Sequence, residues 1–166
     1  MDNSKQFNQE IDRIVRAIDI AIKDVAVLSA DAFDKNFANQ SFFGRKWKPS
    51  KYTMDNKGKS RHLLHKTGAL RMSIKYTILN NVITFRSSVP YANIHNEGGT
   101  INHPGGTAYI YDKKKKRSIW ISNYKASGKN YPRTKPHKIA IPKRQFIGNA
   151  SQLEKLIENV ILKQIK

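Results

Sequence analysis

The 166-residue sequence contains no cysteine, which excludes disulfides, thiolate-bound zinc and thiol catalysis together. Acidic residues are also scarce, 12 against 31 Lys and Arg, and between residues 45 and 148 they reduce to Asp55, Glu97 and Asp112. Hydrolysis by two converging carboxylates therefore lacks a local pair, and a nuclease would lack acidic ligands for magnesium. No apolar run reaches the roughly 18 residues needed to span a bilayer. The opening Met1-Asp-Asn-Ser-Lys-Gln lacks the basic-then-apolar layout of a signal peptide, so assembly in a cytoplasm is the expectation. There is no internal repeat, and no low-complexity tract beyond one lysine run.

What the chain has in excess is positive charge, and it is unevenly placed. The formal net charge is +19. Residues 1–44 carry −2, residues 45–148 carry +20 and residues 149–166 carry +1. Such a field attracts polyanions and opposes self-association unless an acidic partner or counterions screen it. The sharpest element is Lys113-Lys114-Lys115-Lys116-Arg117. It reads either as a solvated hairpin tip or as a contact for an acidic protein face or for phosphates, where binding would be steeply salt-dependent. Tyr109, Tyr111, Trp120, Tyr124 and Tyr131 interleave aromatics with this stretch, a composition that also suits single-stranded nucleic acid.

Periodicity lays out an α+β chain of one domain, residues 1–166. Phe7, Ile11, Ile14, Ile18, Ile22, Val25, Leu28, Ala32 and Phe33 recur at three- and four-residue steps, so residues 1–38 hold a long amphipathic N-terminal helix. Val15, Ile20 and Val27 broaden its apolar face, either for its own domain or for a neighbouring subunit. Gly44 and Pro49 bracket Trp47 in a turn, and residues 48–61 read as a polar, basic loop. Trp47 suits a plug at the base of the core, with base stacking beside Arg45, Lys46 and Lys48 as the other reading. A short segment around Gly68 precedes a hairpin, 73–79 and 82–88, turning at Asn80-Asn81. A short helix over 91–97 stops at Gly98-Gly99. A basic insert, 100–136, contains a second hairpin, 108–111 with 118–122. A last strand at 137–141 and a C-terminal helix at 150–165 complete a small antiparallel sheet covered by helices.

The five histidines do not make a metal site on this reading, because His62 and His65 lie among Arg61 and Lys66 with no carboxylate beside them. His95 and Glu97, two apart on a helix, diverge rather than form a general-base site. No catalytic residue, cofactor-binding residue or metal ligand is assigned, and a non-enzymatic role is expected.

Two blocks carry the strongest identity signal: Tyr91-Ala-Asn-Ile-His-Asn-Glu-Gly-Gly99 and Ile141-Pro-Lys-Arg-Gln-Phe-Ile-Gly148. With Gly44, Trp47 and Pro49, and with Leu64, Thr67, Gly68 and Leu70, they follow in order a pattern that resembles the phage virion morphogenesis family, the tail-completion proteins of Mu-like and P2-like phages. The matching positions are Trp47, Gly68, Leu70, Tyr91, Ala92, His95, Gly98, Gly99, Pro142, Arg144, Phe146 and Gly148. The chain departs from the pattern at Asn96-Glu97, where the family often has Gln after the histidine, and at Gln145, where it often has a second proline. The resemblance implies a structural protein that completes the tail or neck at the head–tail junction. It implies a homo-oligomeric ring, commonly a hexamer, located in the virion after assembly in the host cytoplasm. Partners would be connector and tail proteins, with DNA as a further contact of the basic insert and no membrane involved. In architectural terms Tyr91 and Ile94 would pack the short helix on the sheet, Phe146 would enter the core, and Arg144 would pair with Glu97.

Overall fold

The computed structural model describes residues 3–49, 62–64, 67–114, 116–121 and 130–165. In chain order these form α1 (Asn3–Asn39), β1 (Ser41–Phe42), β2 (Arg45–Lys46), α2 (Ala69–Ser73), β3 (Ile74–Leu79), β4 (Val82–Ser87), α3 (Ala92–Glu97), β5 (Gly99–His103), β6 (Tyr109–Asp112), β7 (Arg117–Trp120), β8 (His137–Ile141) and α4 (Ser151–Ile165). The α+β layout read from the sequence is present, with the long N-terminal helix, short helix and C-terminal helix in the expected places. Two compact units divide it: residues 1–97 with 142–166, and residues 98–141, which include the basic insert 100–136.

In the first unit, α1 is uninterrupted because its 37 residues contain neither Gly nor Pro. It ends at Gln40, whose φ of 53° is a left-handed helix stop usually taken by glycine. The Gln40 side chain supports that stop: its amide NH2 donates to the carbonyls of Phe37 at 2.6 Å and Leu63 at 3.2 Å, and its Oε1 accepts from Leu63 N. α4 runs antiparallel along the second half of α1, with Gln152 donating to the carbonyl of Phe43 and Gln164 donating to Asp24 Oδ2 at 2.9 Å. The β3–β4 hairpin turns at Asn80 and Asn81, both at positive φ, and lays Phe85 edge-on against Phe33 of α1, ring centroids 4.9 Å apart. At the C-terminal end of α1, Phe37, Trp47, Leu70, Ala92 and Phe146 close one core cluster. Phe146 and Phe37 are fully buried and lie 5.1 Å apart, and Trp47 packs edge-on against Phe37 at 5.7 Å.

In the second unit, β5 pairs antiparallel with β8 from Gly99↔Ile141 to His103↔His137, and β6 pairs with β7 from Tyr109↔Trp120 to Asp112↔Arg117. An isolated bridge between Ala108 and Arg133 ties in the returning chain. Among the described residues the strands form four two-stranded ribbons, β1–β2, β3–β4, β5–β8 and β6–β7, rather than one continuous sheet. The turn chemistry that specifies each local pair says nothing about which ribbons share an edge, and that is where the sequence reading and the fold part company.

Candidate functional site

The two motif blocks, 42 residues apart between Gly99 and Ile141, are brought together by the β5–β8 ladder. The chain leaves the first unit at Glu97 and re-enters it at Pro142, so α3 and the segment 142–149 face one another there. Asn96 supplies the central clasp: its Oδ1 accepts from Phe146 N at 2.9 Å and from Ile147 N at 3.1 Å. Arg144 N donates to the carbonyl of His95 at 2.8 Å. From the other side, buried Asn36 of α1 donates to the carbonyl of Phe146 at 3.1 Å and accepts from Phe43 N at 2.9 Å. Trp47 Nε1 donates to the carbonyl of Gln145 at 2.7 Å. Each of the four consecutive residues 144 to 147 therefore has at least one backbone polar group held by a named partner, as suits an irregular segment entering a core.

The charges in this region hold the scaffold. Arg144 is buried, and its Nε donates to the carbonyl of Lys48 at 3.2 Å. Burial lowers its pKa from the ordinary arginine value. Glu97 pairs with Lys143 at 3.0 Å, not with Arg144, which corrects the pairing expected from the sequence. The reason is direction: Arg144 faces inward toward Lys48, and its neighbour Lys143 faces solvent beside Glu97. Hydrogen bonds from Lys143 and then Asn96 hold the Glu97 carboxyl below its usual range. Asp34 of α1 and Arg71 of α2 form a two-pronged pair; that hydrogen bonding lowers the Asp34 pKa and raises that of Arg71. His95 packs edge-on to Tyr91 at 5.9 Å, and its Nδ1 is buried with no hydrogen-bond partner among the described residues. Burial first, and the nearby Arg144 charge second, lower its pKa, so the ring is neutral at pH 7.

The sequence-predicted residues fall into two groups. Trp47, Leu70, Ala92, Arg144 and Phe146 are buried, and burial leaves Trp47 no free face for a base to stack on. Gly98 (φ 75°) stops α3, Gly99 opens β5, Gly68 precedes α2, and Pro142 follows β8. Gly148, at φ 135°, takes a backbone conformation that a side chain would strain. Tyr91 is exposed and His95 half-buried at the start and middle of the clasp. The basic run is elsewhere: Lys113, Lys114, Lys116 and Arg117 are exposed at and beside the β6–β7 turn, while Lys115 lies outside the described residues. Lys114 N is anchored by Asp112 Oδ1 at 3.0 Å. Tyr111 and Trp120, 55% and 62% exposed, sit on the same face of that hairpin, and Ile110 and Ile119 sit on the other. His65, Tyr124 and most of the 48–61 loop lie outside the described residues.

Sequence reasoning missed the amide clasps, Asn36, Gln40 and Asn96, because an amide in a helix or at its end reads as surface. The one available signal was the presence of Asn96 inside the motif block. It also missed the stacking of His103 on His137, 4.8 Å apart, which the β5–β8 register makes direct neighbours. Among the described residues no three His, Cys, Asp or Glu side chains gather as a metal site, and no helix is long and apolar enough to cross a membrane.

Compared with known proteins, the chain matches the sequence model of the phage virion morphogenesis family over residues 5–166. No curated protein and no solved structure matches it.

Proposed function

The chain belongs to the phage virion morphogenesis family, and from that premise we propose that it completes the tail or neck at the head–tail junction. It acts there as a homo-oligomeric ring, hexameric by resemblance, that joins connector and tail proteins through protein–protein interfaces without enzymatic activity. The observation that carries this reading is the direction in which the family-motif residues point. Trp47, Leu70, Arg144 and Phe146 are spent on the interior, and what remains outside is an exposed basic hairpin and apolar helix faces. Such an arrangement is a scaffold for contacts. The carboxylates nearest the clasp support the same view, since Asp34 and Glu97 are occupied by Arg71 and Lys143.

Electron microscopy of particles from a phage lacking this gene tests the proposal. DNA-filled heads beside unattached tails support it, and joined, intact particles overturn it. The docking role of the hairpin is tested separately by reversing Lys113–Arg117 to Glu. The variant should fold as the parent does and yield few joined particles, because Lys113, Lys114, Lys116 and Arg117 are exposed and take no part in the core. Normal assembly of that variant removes the hairpin from the interface.

The exposed pair Tyr111 and Trp120 beside four exposed cations favours one second reading, a nucleic-acid-binding module using residues 100–136. Retention on DNA that falls steeply with salt, by a chain that does not oligomerise, would select it.

A further inference from the structure

No described side chain in the first turns of α1 is buried. Among the described side chains from Ser4 to Ile20 all are exposed except Ala17, which is half-buried, and the first buried residue is Ala21. This is not a polar stretch. Phe7 is 67% exposed and Ile11 and Ile14 are each 44% exposed, with Val15, Ile18 and Ile20 also open to water. The cause is length: α4, the helix that covers the second half of α1, ends near Asp24, where Gln164 donates its hydrogen bond. Residues 4–20 span about 25 Å at 1.5 Å per residue, most of it beyond the end of α4. Isolated helices of this length are marginal in water, so an apolar stripe along one is stabilised by packing against something.

We propose that this arm, residues 4–20 of α1, packs against the arm of a second copy of the same chain. The proposal rests on the oligomeric reading given above and names the segment through which copies join. Three observations choose the occupant. Phe7, Ile11, Ile14, Ile18, Ala21, Val25 and Leu28 alternate by four and three, the seven-residue repeat of helices that supercoil around one another. Within the arm, isoleucine stands at both kinds of seam position (Ile11 and Ile18 at one, Ile14 at the other), a choice that in parallel bundles favours more than two helices. Charge is the third. The arm holds Lys5, Arg13 and Arg16 against Glu10, Asp12 and Asp19 and is neutral, whereas residues 45–148 carry +20. Two copies of a chain at +19 repel nearly everywhere, but not here, and a mixed-sign arm can match its own charges against those of its copy. An acidic partner protein would be drawn to the basic segments instead.

The absence of cysteine makes the test direct. In the full-length protein, Ile14→Cys should give disulfide-linked dimers on mild oxidation, and Glu158→Cys, on the exposed side of α4, should give none. Sedimentation of the unmodified protein over roughly a hundredfold concentration range should show reversible association. At about 1 M salt, where the Debye length shrinks to about 3 Å, that association should persist or strengthen. Ile11→Asp with Ile18→Asp should sediment as a monomer with an unchanged thermal midpoint for the rest of the chain. Unmodified protein that stays monomeric throughout, a double variant that associates as the parent does, or equal cross-linking at positions 14 and 158 overturns the proposal. So does a monomeric chain whose arm is instead bound by another virion protein. Should the double variant fail to fold, the Ile14→Cys cross-link still decides. Association through the arm with no defect in head–tail joining would retain this inference and remove the junction role.

Discussion

The two halves of α1 carry the same apolar spacing and meet opposite fates. From Ala21 onward the helix buries Val25, Ala26, Phe33 and Phe37 against α4, the β3–β4 hairpin and the clasp segment. Before Ala21 the same repeat lies open. Apolar periodicity therefore specifies that a helix has a face. It does not specify whether that face is covered by its own chain or left for another.

The most severe way to break this comparison is to truncate the same chemistry in both halves. Phe37→Ala should cost about 3–5 kcal/mol, the usual penalty for removing a fully buried aromatic, and lower the unfolding midpoint accordingly. Ile14→Ala should change the stability of the monomer by no more than about 0.5 kcal/mol while weakening association. Calorimetry paired with sedimentation separates the two effects, and equal destabilisation by both would erase the distinction between core and arm.

Next in size is the amide clasp that secures the end of the covered half. Asn96→Ala leaves the part-buried amides of Phe146 and Ile147 without their acceptor and should cost about 1–3 kcal/mol in denaturant unfolding. A change indistinguishable from zero would mean that water replaces the side chain there.

His95 sharpens the comparison through pH. Its folded pKa is depressed, so as pH falls below the ordinary histidine value of 6.5 the unfolded chain takes up the proton first. The contribution of the neutral ring is fully present above pH 6.5 and is lost as pH falls toward the folded value. His95→Gln should flatten that limb of the stability profile. The depressed carboxylates Asp34 and Glu97 should leave a separate loss at lower pH, below the usual carboxylate range. A profile unchanged by His95→Gln would place the titration elsewhere. The smallest effect belongs to Asp34→Asn, which disrupts a pair whose side chains are 45% and 32% exposed, a geometry worth about 0.2–1 kcal/mol.

Much of the fold was legible because it depends on near neighbours in the chain. The 3.6-residue stripes marked α1 and α4, Asn80-Asn81 marked the hairpin turn, and Gly98-Gly99 marked the end of α3. The β6–β7 hairpin was likewise visible as two short apolar segments around a basic turn. The clasp was only half legible. The motif residues announced that residues 91–99 and 141–148 matter, but not that Asn96 holds the backbone of Phe146 or that Lys143, not Arg144, meets Glu97. Hydrogen-bond partners 46 to 110 residues apart leave no periodic trace.

By itself the sequence determined where helices and hairpins form, that the charge of the chain concentrates between residues 45 and 148, and which family the chain resembles. These follow from local backbone preference and from counting. The tertiary structure alone decided that the described strands pair as four ribbons, that Trp47 and Arg144 turn inward, and that no described side chain from Ser4 to Ile20 is buried. A helix of 37 residues runs about 55 Å, and a partner of 15 residues runs about 22 Å. Burial is a property of the surface that arrives, and no residue of α1 encodes how far α4 will reach.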